Sequence, residues 1–96
     1  MVNETELGCI AKDIGETFGI KCTAQWHNHT AHSIIYHRKI VNGKEYVDLL
    51  VHPYLEDADK DIVYDILGVM LRQILRYAQD DYSDKTKEWI EKHRRV

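Results

Sequence analysis

Several features are scarce in this chain of 96 residues, and each scarcity excludes a class of protein. Two cysteines are too few for a disulfide-stapled scaffold, and Cys9 and Cys22 lack the CxxC-like spacing of a structural zinc site. The longest apolar run is far too short to cross a bilayer. A formal net charge of −3 argues against a dedicated nucleic-acid binder, whose surface is usually basic.

The rest of the composition is ordinary, with 44% hydrophobic and 30% charged residues, as in soluble globular proteins. This length predicts a single domain over residues 1–96 with one modest core. The N-terminal stretch MVNETELG is polar and acidic, unlike a signal peptide, so we expect a cytoplasmic protein that does not enter a membrane.

The N-terminal third predicts a helix followed by a strand. Apolar residues at helical spacing predict a helix over residues 4–18, with Asn3 and Glu6 as a capping box and Gly19 as its C-terminal glycine. Alternation of apolar and polar residues then predicts a half-buried strand over residues 20–27. Both cysteines fall at positions expected to face the core.

Gly8 and Gly15 lie one heptad apart on the flank of the helix's apolar stripe. Glycine lowers helix propensity, so we expect both positions to allow close packing of the backbone.

A hairpin of strands 33–41 and 44–51 is predicted around Asn42-Gly43, because a type I′ turn needs positive φ at both positions. The turn fixes the register and places His37 opposite Asp48. We expect one face of the hairpin to meet the core: Ile34, Tyr36, Ile40, Val47, Leu49 and Val51. The other face is mixed and too apolar to be ignored: Ile35, His37, Lys39, Val41, Tyr46, Asp48 and Leu50.

A main helix is predicted over residues 59–79, after Pro53 ends the last strand. Apolar residues cover more than half of its circumference, so we expect it to be covered on two sides, by the sheet and by another helix or subunit. Ser83 or Asp84 caps a last short helix. The order α-β-β-β-α-α predicts an α+β fold, a two-layer sandwich whose small, mostly antiparallel three-stranded sheet carries its helices on one face.

The stretch VHPYLEDADKDIVYDILGVMLRQILRYAQDDYSDKTKEWIEKH resembles the core of minimal SprT-like (gluzincin-type) zinc metallopeptidases, in which a strand leads into a helix that carries HExxH. The resemblance implies that the five HExxH positions fall on residues 69–73, where Val69, Met70 and Gln73 replace the two histidines and the glutamate. The third ligand would fall near Tyr82. A domain related to this family would therefore be catalytically dead, because these side chains neither hold zinc nor activate water.

Histidines suggest a metal site elsewhere, in the loop WHNHTAH. His27, His29 and His32 lie within six positions, and His52 is a fourth candidate ligand. Neutral imidazole is a common ligand of transition metals, so zinc is the cofactor this loop would hold. The other interpretation is a solvated polar loop, which needs no cofactor.

Three further groups of residues are candidates for function. His37 and Asp48 form either an ordinary cross-strand pair or a general-base pair. Arg72 and Arg76 lie on the polar side of the main helix and could contact a partner. The C-terminal segment could contact nucleic acid through its basic residues and one aromatic ring: Lys85, Lys87, Trp89, Arg94 and Arg95.

Taken together, these patterns favour a small non-enzymatic protein-interaction module that self-associates as a homodimer. The apolar surface of the main helix and the mixed sheet face exceed what one small core can cover, and such surfaces usually mark interfaces. We expect the contact surface to include Ile35, His37, Tyr46, Asp48, Leu50, Arg72 and Arg76. Two alternatives stay open: a metal-dependent hydrolase built on the histidines, and a protein that contacts nucleic acid through its C-terminus.

Overall fold

The computed structural model describes residues 2–28, 34–76 and 81–93, and it has the predicted α+β fold. The elements follow one another in the order α1 (Glu4–Thr17), β1 (Lys21–Trp26), β2 (Ile34–Val41), β3 (Lys44–Val51), α2 (Lys60–Ile74) and α3 (Asp84–His93). A short 3-10 turn, Pro53–Asp57, joins β3 to α2. None of the helices in these ranges is long and apolar enough to cross a membrane.

Both ends of α1 are fixed by local hydrogen bonds, as the sequence predicts. The Asn3 side chain accepts the Glu6 N–H at 2.8 Å, and the Glu6 carboxylate accepts the Asn3 N–H at 3.2 Å. At the other end Gly19 has φ +70°, and the Ile20 N–H donates to the Gly15 carbonyl at 3.0 Å. This Schellman arrangement ends the helix and turns the chain directly into β1.

The sheet has the strand order β1-β3-β2 and is mixed. β2 and β3 form the predicted antiparallel hairpin, while β1 runs parallel to β3 on its other side. Asn42 (φ 51°) and Gly43 (φ 76°) both have the left-handed backbone of a type I′ turn. The turn pairs Val41 with Lys44 and His37 with Asp48, which confirms the predicted register.

The core lies on one face of the sheet, between β1, β3 and the helices. Its strand residues, all buried, are Cys22, Ala24, Val47, Leu49 and Val51. α1 packs closely against β1, and a Cβ added at Gly15 would lie 2.7 Å from the Cys22 Cβ and 3.0 Å from its backbone nitrogen. A Cβ at Gly8 would meet nothing within 4 Å, so close packing explains Gly15 and not Gly8.

The predicted core face of β2 is a first correction. Tyr36 is 47% exposed and Ile40 69% exposed, although both share a face with the buried residues of β3. α1 packs on β1, and α2 packs against α1 and α3. The helices therefore cover β1 and β3 and leave most of β2 open.

α2 ends earlier than predicted, but its apolar residues are buried as predicted. It ends at Ile74 rather than residue 79, because Arg76 takes a left-handed φ of 60°. Its apolar residues lie in the core of the chain: Ile62, Val63, Ile66, Leu67, Val69, Leu71 and Ile74. The broad apolar surface of this helix is thus buried inside the chain, where α2 packs against α1 and α3.

The cysteines are free, and only one of them faces the core. Cys22 is buried on β1, whereas Cys9 is exposed on α1, contrary to its prediction. Cys9 lies off the apolar stripe formed by Leu7, Ile10 and Ile14, and turns towards solvent.

The close approach of α1 to β1 predicts opposite effects for one substitution at the two helical glycines. Gly15→Ala forces a Cβ into the backbone of β1 and should lower the free energy of unfolding by about 1–3 kcal/mol. Gly8→Ala enters open space in the same helix and should raise it by roughly 0.5–1 kcal/mol through helix propensity. Urea unfolding measures both, and equal stabilities would contradict the packing described.

Candidate interaction surface

The exposed large apolar side chains of the described residues are concentrated on the hairpin. Four lie on β2, with exposed fractions of 38% for Ile35, 47% for Tyr36, 69% for Ile40 and 43% for Val41. Tyr46 of β3 is a fifth, and Tyr64 of α2 stands apart from them. Because successive side chains of a strand point to opposite faces, β2 is open on both faces. We call β2 together with Tyr46 the hairpin surface.

The backbone of β2 is open as well. Val41 and Lys44 flank the two-residue turn, so these two residues exchange hydrogen bonds across the hairpin. Peptide groups of alternate residues point to opposite sides of a strand. The N–H and C=O groups of Tyr36, Arg38 and Ile40 therefore point away from β3, and no hydrogen bond found between described residues reaches them.

The other edge of the sheet is covered in part. The Trp26 N–H points away from β3 and donates to the Glu4 carboxylate of α1 at 3.3 Å. Gly15 lies close to the backbone of Cys22 near the start of the same strand. β1 is therefore shielded by α1 near both of its ends, which leaves β2 as the more accessible edge.

The two cationic side chains at the centre of β2 both make contacts within the chain. The Arg38 guanidinium forms a double ion pair with Glu45, at 2.8 and 3.0 Å, and donates a third bond to the Ile74 carbonyl at 3.1 Å. The hydrogen bond to Glu45 raises the pKa of Arg38 further above its usual value. Lys39 lies over the Tyr46 ring, 5.9 Å from its centroid. Arg38 thereby ties the edge strand to the end of α2.

A second cluster lies on the face of the sheet that the described helices leave uncovered. Asp48 stands at its centre and accepts hydrogen bonds from Thr23 Oγ1 at 2.7 Å and from Gln25 Nε2 at 3.5 Å. His37 lies opposite it in register. A shallow cleft of about 370 Å³ is lined by Asp48, Thr23 and His37 together with Lys21 and Lys39. The nearest partners of the Asp48 carboxylate are on β1, so its contacts stabilise the parallel strand pair.

Two of the four predicted metal ligands lie within the described residues. The backbone N–H of His27 donates to the Val51 carbonyl, and His52 Nδ1 accepts the Tyr54 N–H at 3.1 Å, so this ring nitrogen already caps the turn after β3. His29 and His32 lie outside the described residues. Within the described ranges no three His, Cys, Asp or Glu side chains are grouped as a metal site would need. Zinc binding stays a prediction, which the metal content of untagged protein would test.

The two arginines of the predicted surface on α2 lie in the last turn of the helix and just past it. The Arg72 guanidinium lies over the Phe18 ring, 5.7 Å from its centroid, and so bridges α2 to the end of α1. Asp65 accepts the Ser83 N–H at 2.8 Å and links α2 to the start of α3. Arg76 is exposed just past the end of the helix. A role of Arg72 or Arg76 in partner contact stays a prediction.

The basic C-terminal segment makes several contacts within the chain. Trp89 stacks on His93 with 4.2 Å between ring centroids and lies 5.9 Å from Tyr54. Lys85 donates to Asp61 and Lys87 pairs with Asp81, at 2.7 and 2.8 Å. Arg94 and Arg95 lie outside the described residues. Nucleic-acid contact by this segment stays a prediction.

Three of the five positions that correspond to HExxH lie in the core or against it. Val69 and Leu71 are buried in the core, and Met70 packs against it. No family model, no curated protein and no solved structure matches the chain. The likeness to a metallopeptidase core therefore stays a prediction.

Sequence reasoning missed the most exposed part of the hairpin surface, because Tyr36 and Ile40 were assigned to the core. One signal was available. Arg38 lies between these two residues on the same face, and Glu45 lies opposite Ile40. An arginine and a glutamate in the middle of a predicted core face indicate that this part of the face meets solvent.

The two thiols should differ sharply in reactivity. Burial, with a smaller contribution from the Asp48 charge, raises the pKa of Cys22 to about 11, so only about one thiol in a thousand is ionised at pH 8. A soluble thiol reagent should label one cysteine per folded chain, and Cys9→Ser should abolish this labelling. Equal labelling rates at both cysteines would show that the seam between α1 and β1 is open.

Proposed function

We propose that this chain is a small non-enzymatic protein-interaction module that acts by self-association through the hairpin surface. The observation that carries the proposal is the exposure of one strand on both faces and along its edge. Four of the eight residues of β2 are large apolar side chains at least 38% exposed. Contiguous exposed apolar surface usually marks a contact site, and a long exposed edge strand is a template for pairing.

The way in which the charged side chains of β2 are paired within the chain supports a second copy of the chain as the binding partner. Proteins that keep an edge strand unpaired commonly place free lysines and other charges on it. Here the Arg38 charge is neutralised by Glu45, and Lys39 rests on Tyr46, so neither cation projects alone from the edge. An identical strand with the same internal pairing can therefore approach it.

The burial of α2 also supports this location. The sequence alone offered two surplus apolar surfaces, the main helix and the mixed sheet face. α2 contributes its apolar residues to the core, so the large exposed apolar side chains of residues 2–28, 34–76 and 81–93 are those of the hairpin surface and Tyr64. Self-association through β2 would bury the apolar side chains that this strand exposes in the single chain.

Removing apolar side chains from β2 should separate the copies without unfolding the chain. Tyr36→Ser with Ile40→Ser should weaken association by about 2 kcal/mol or more, about 30-fold in Kd, while changing stability little because both side chains are exposed in the single chain. Sedimentation equilibrium over a concentration series measures the Kd.

The matched control is Tyr64→Ser, which removes from α2 a tyrosine ring that is 38% exposed, against 47% for Tyr36. It should associate as the parent does, although it loses a hydrogen bond to Asp13. A parent protein that stays monomeric throughout the series would contradict the proposed function.

A further inference from the structure

We infer that two copies of the chain pair edge to edge through β2, antiparallel about a two-fold axis at His37, and so form one continuous six-stranded sheet. This inference rests on the proposed function and adds the geometry and the register of the contact. It follows from the direction of the peptide groups of β2 and from the order of its side chains.

The direction of the peptide groups restricts the register. Tyr36, Arg38 and Ile40 point their N–H and C=O groups outward, and so does Ile34 by the same alternation. In an antiparallel pair, residues directly opposite each other have side chains on the same face, and outward-pointing residues must meet outward-pointing residues. The two-fold axis must therefore pass beside a residue of β2 and not between two residues.

An axis at His37 places unlike, compatible side chains opposite each other. Ile34 meets Ile40 of the second copy, and Tyr36 meets Arg38 of the second copy, whose guanidinium plane can lie on the ring. Both pairs occur twice by symmetry and exchange about eight backbone hydrogen bonds in all. The exposed side chains on the helix side of β2 are then covered by their counterparts.

The neighbouring registers are less favourable. An axis at Arg38 sets that arginine opposite itself, and an axis at Lys39 does the same for the lysine, and like charges directly opposite destabilise a strand pair. An axis at Tyr36 leaves Ile40 opposite residues beyond the start of β2. The axis at His37 alone pairs all four outward-pointing residues within the strand.

A cysteine cross-link tests the register. In a Cys9→Ser background, His37→Cys places two thiols at the axis, where Cα atoms of a non-hydrogen-bonded pair lie about 4.5 Å apart, within disulfide range. Lys39→Cys is the control, because the axis at His37 separates its two copies by roughly 13 Å along the strands. We expect mild oxidation to convert the first variant largely to covalent dimer and to leave the second largely monomeric.

A proline tests the use of the backbone. Ile40→Pro removes an outward N–H that donates to none of the described residues, and edge strands accept proline at such positions. Ile40→Ala removes the side chain but keeps this N–H. Edge pairing predicts that the proline variant associates at least tenfold more weakly than the alanine variant, with circular dichroism confirming that both are folded.

The outcomes separate this inference from the proposed function. A protein that dimerises but cross-links no better through His37→Cys than through Lys39→Cys overturns the register and leaves self-association standing. Monomeric protein at every concentration overturns both. Should Ile40→Pro fail to fold, the cross-linking comparison still decides, because His37 and Lys39 are exposed and their replacement leaves the core intact.

Discussion

The left-handed backbone at Asn42 and Gly43 sets the register on which the rest of the hairpin depends. With Val41 paired to Lys44, the side chains of Val47, Leu49 and Val51 point into the core. The same register brings Glu45 within reach of Arg38, which in turn reaches the end of α2. It also decides which peptide groups of β2 point outward. A shift of one residue would exchange the faces of the strand and expose the centre of the core.

Uneven cover of the sheet is the second constraint. α1 packs closely on β1 because Gly15 has no side chain at the contact. α2 packs against α1 and α3. The helices cover β1 and the central strand β3 but leave most of β2 exposed. β2 is consequently held by its hydrogen bonds to β3 and by Arg38, with little apolar packing of its own.

Local signals in the sequence were reliable where the structure depends on local interactions. The capping box at Asn3, the left-handed Gly19 and the Asn42-Gly43 turn each involve a few neighbouring residues, and the structure confirms all three. Alternation also identified the correct face of each strand. Whether a helix covers that face depends on packing between distant elements, which explains why Tyr36 and Ile40 were placed in the core. Among the predicted contact residues, Ile35, His37 and Tyr46 lie on the hairpin surface.

Amide hydrogen exchange measured at several protein concentrations tests the central claim most directly. The N–H groups of His37 and Lys39 face β3 and should be protected at every concentration. Those of Tyr36, Arg38 and Ile40 face outward, so their protection should appear only as the concentration rises and copies pair. Free exchange of these three amides at all concentrations, in a protein that remains folded, would contradict the account.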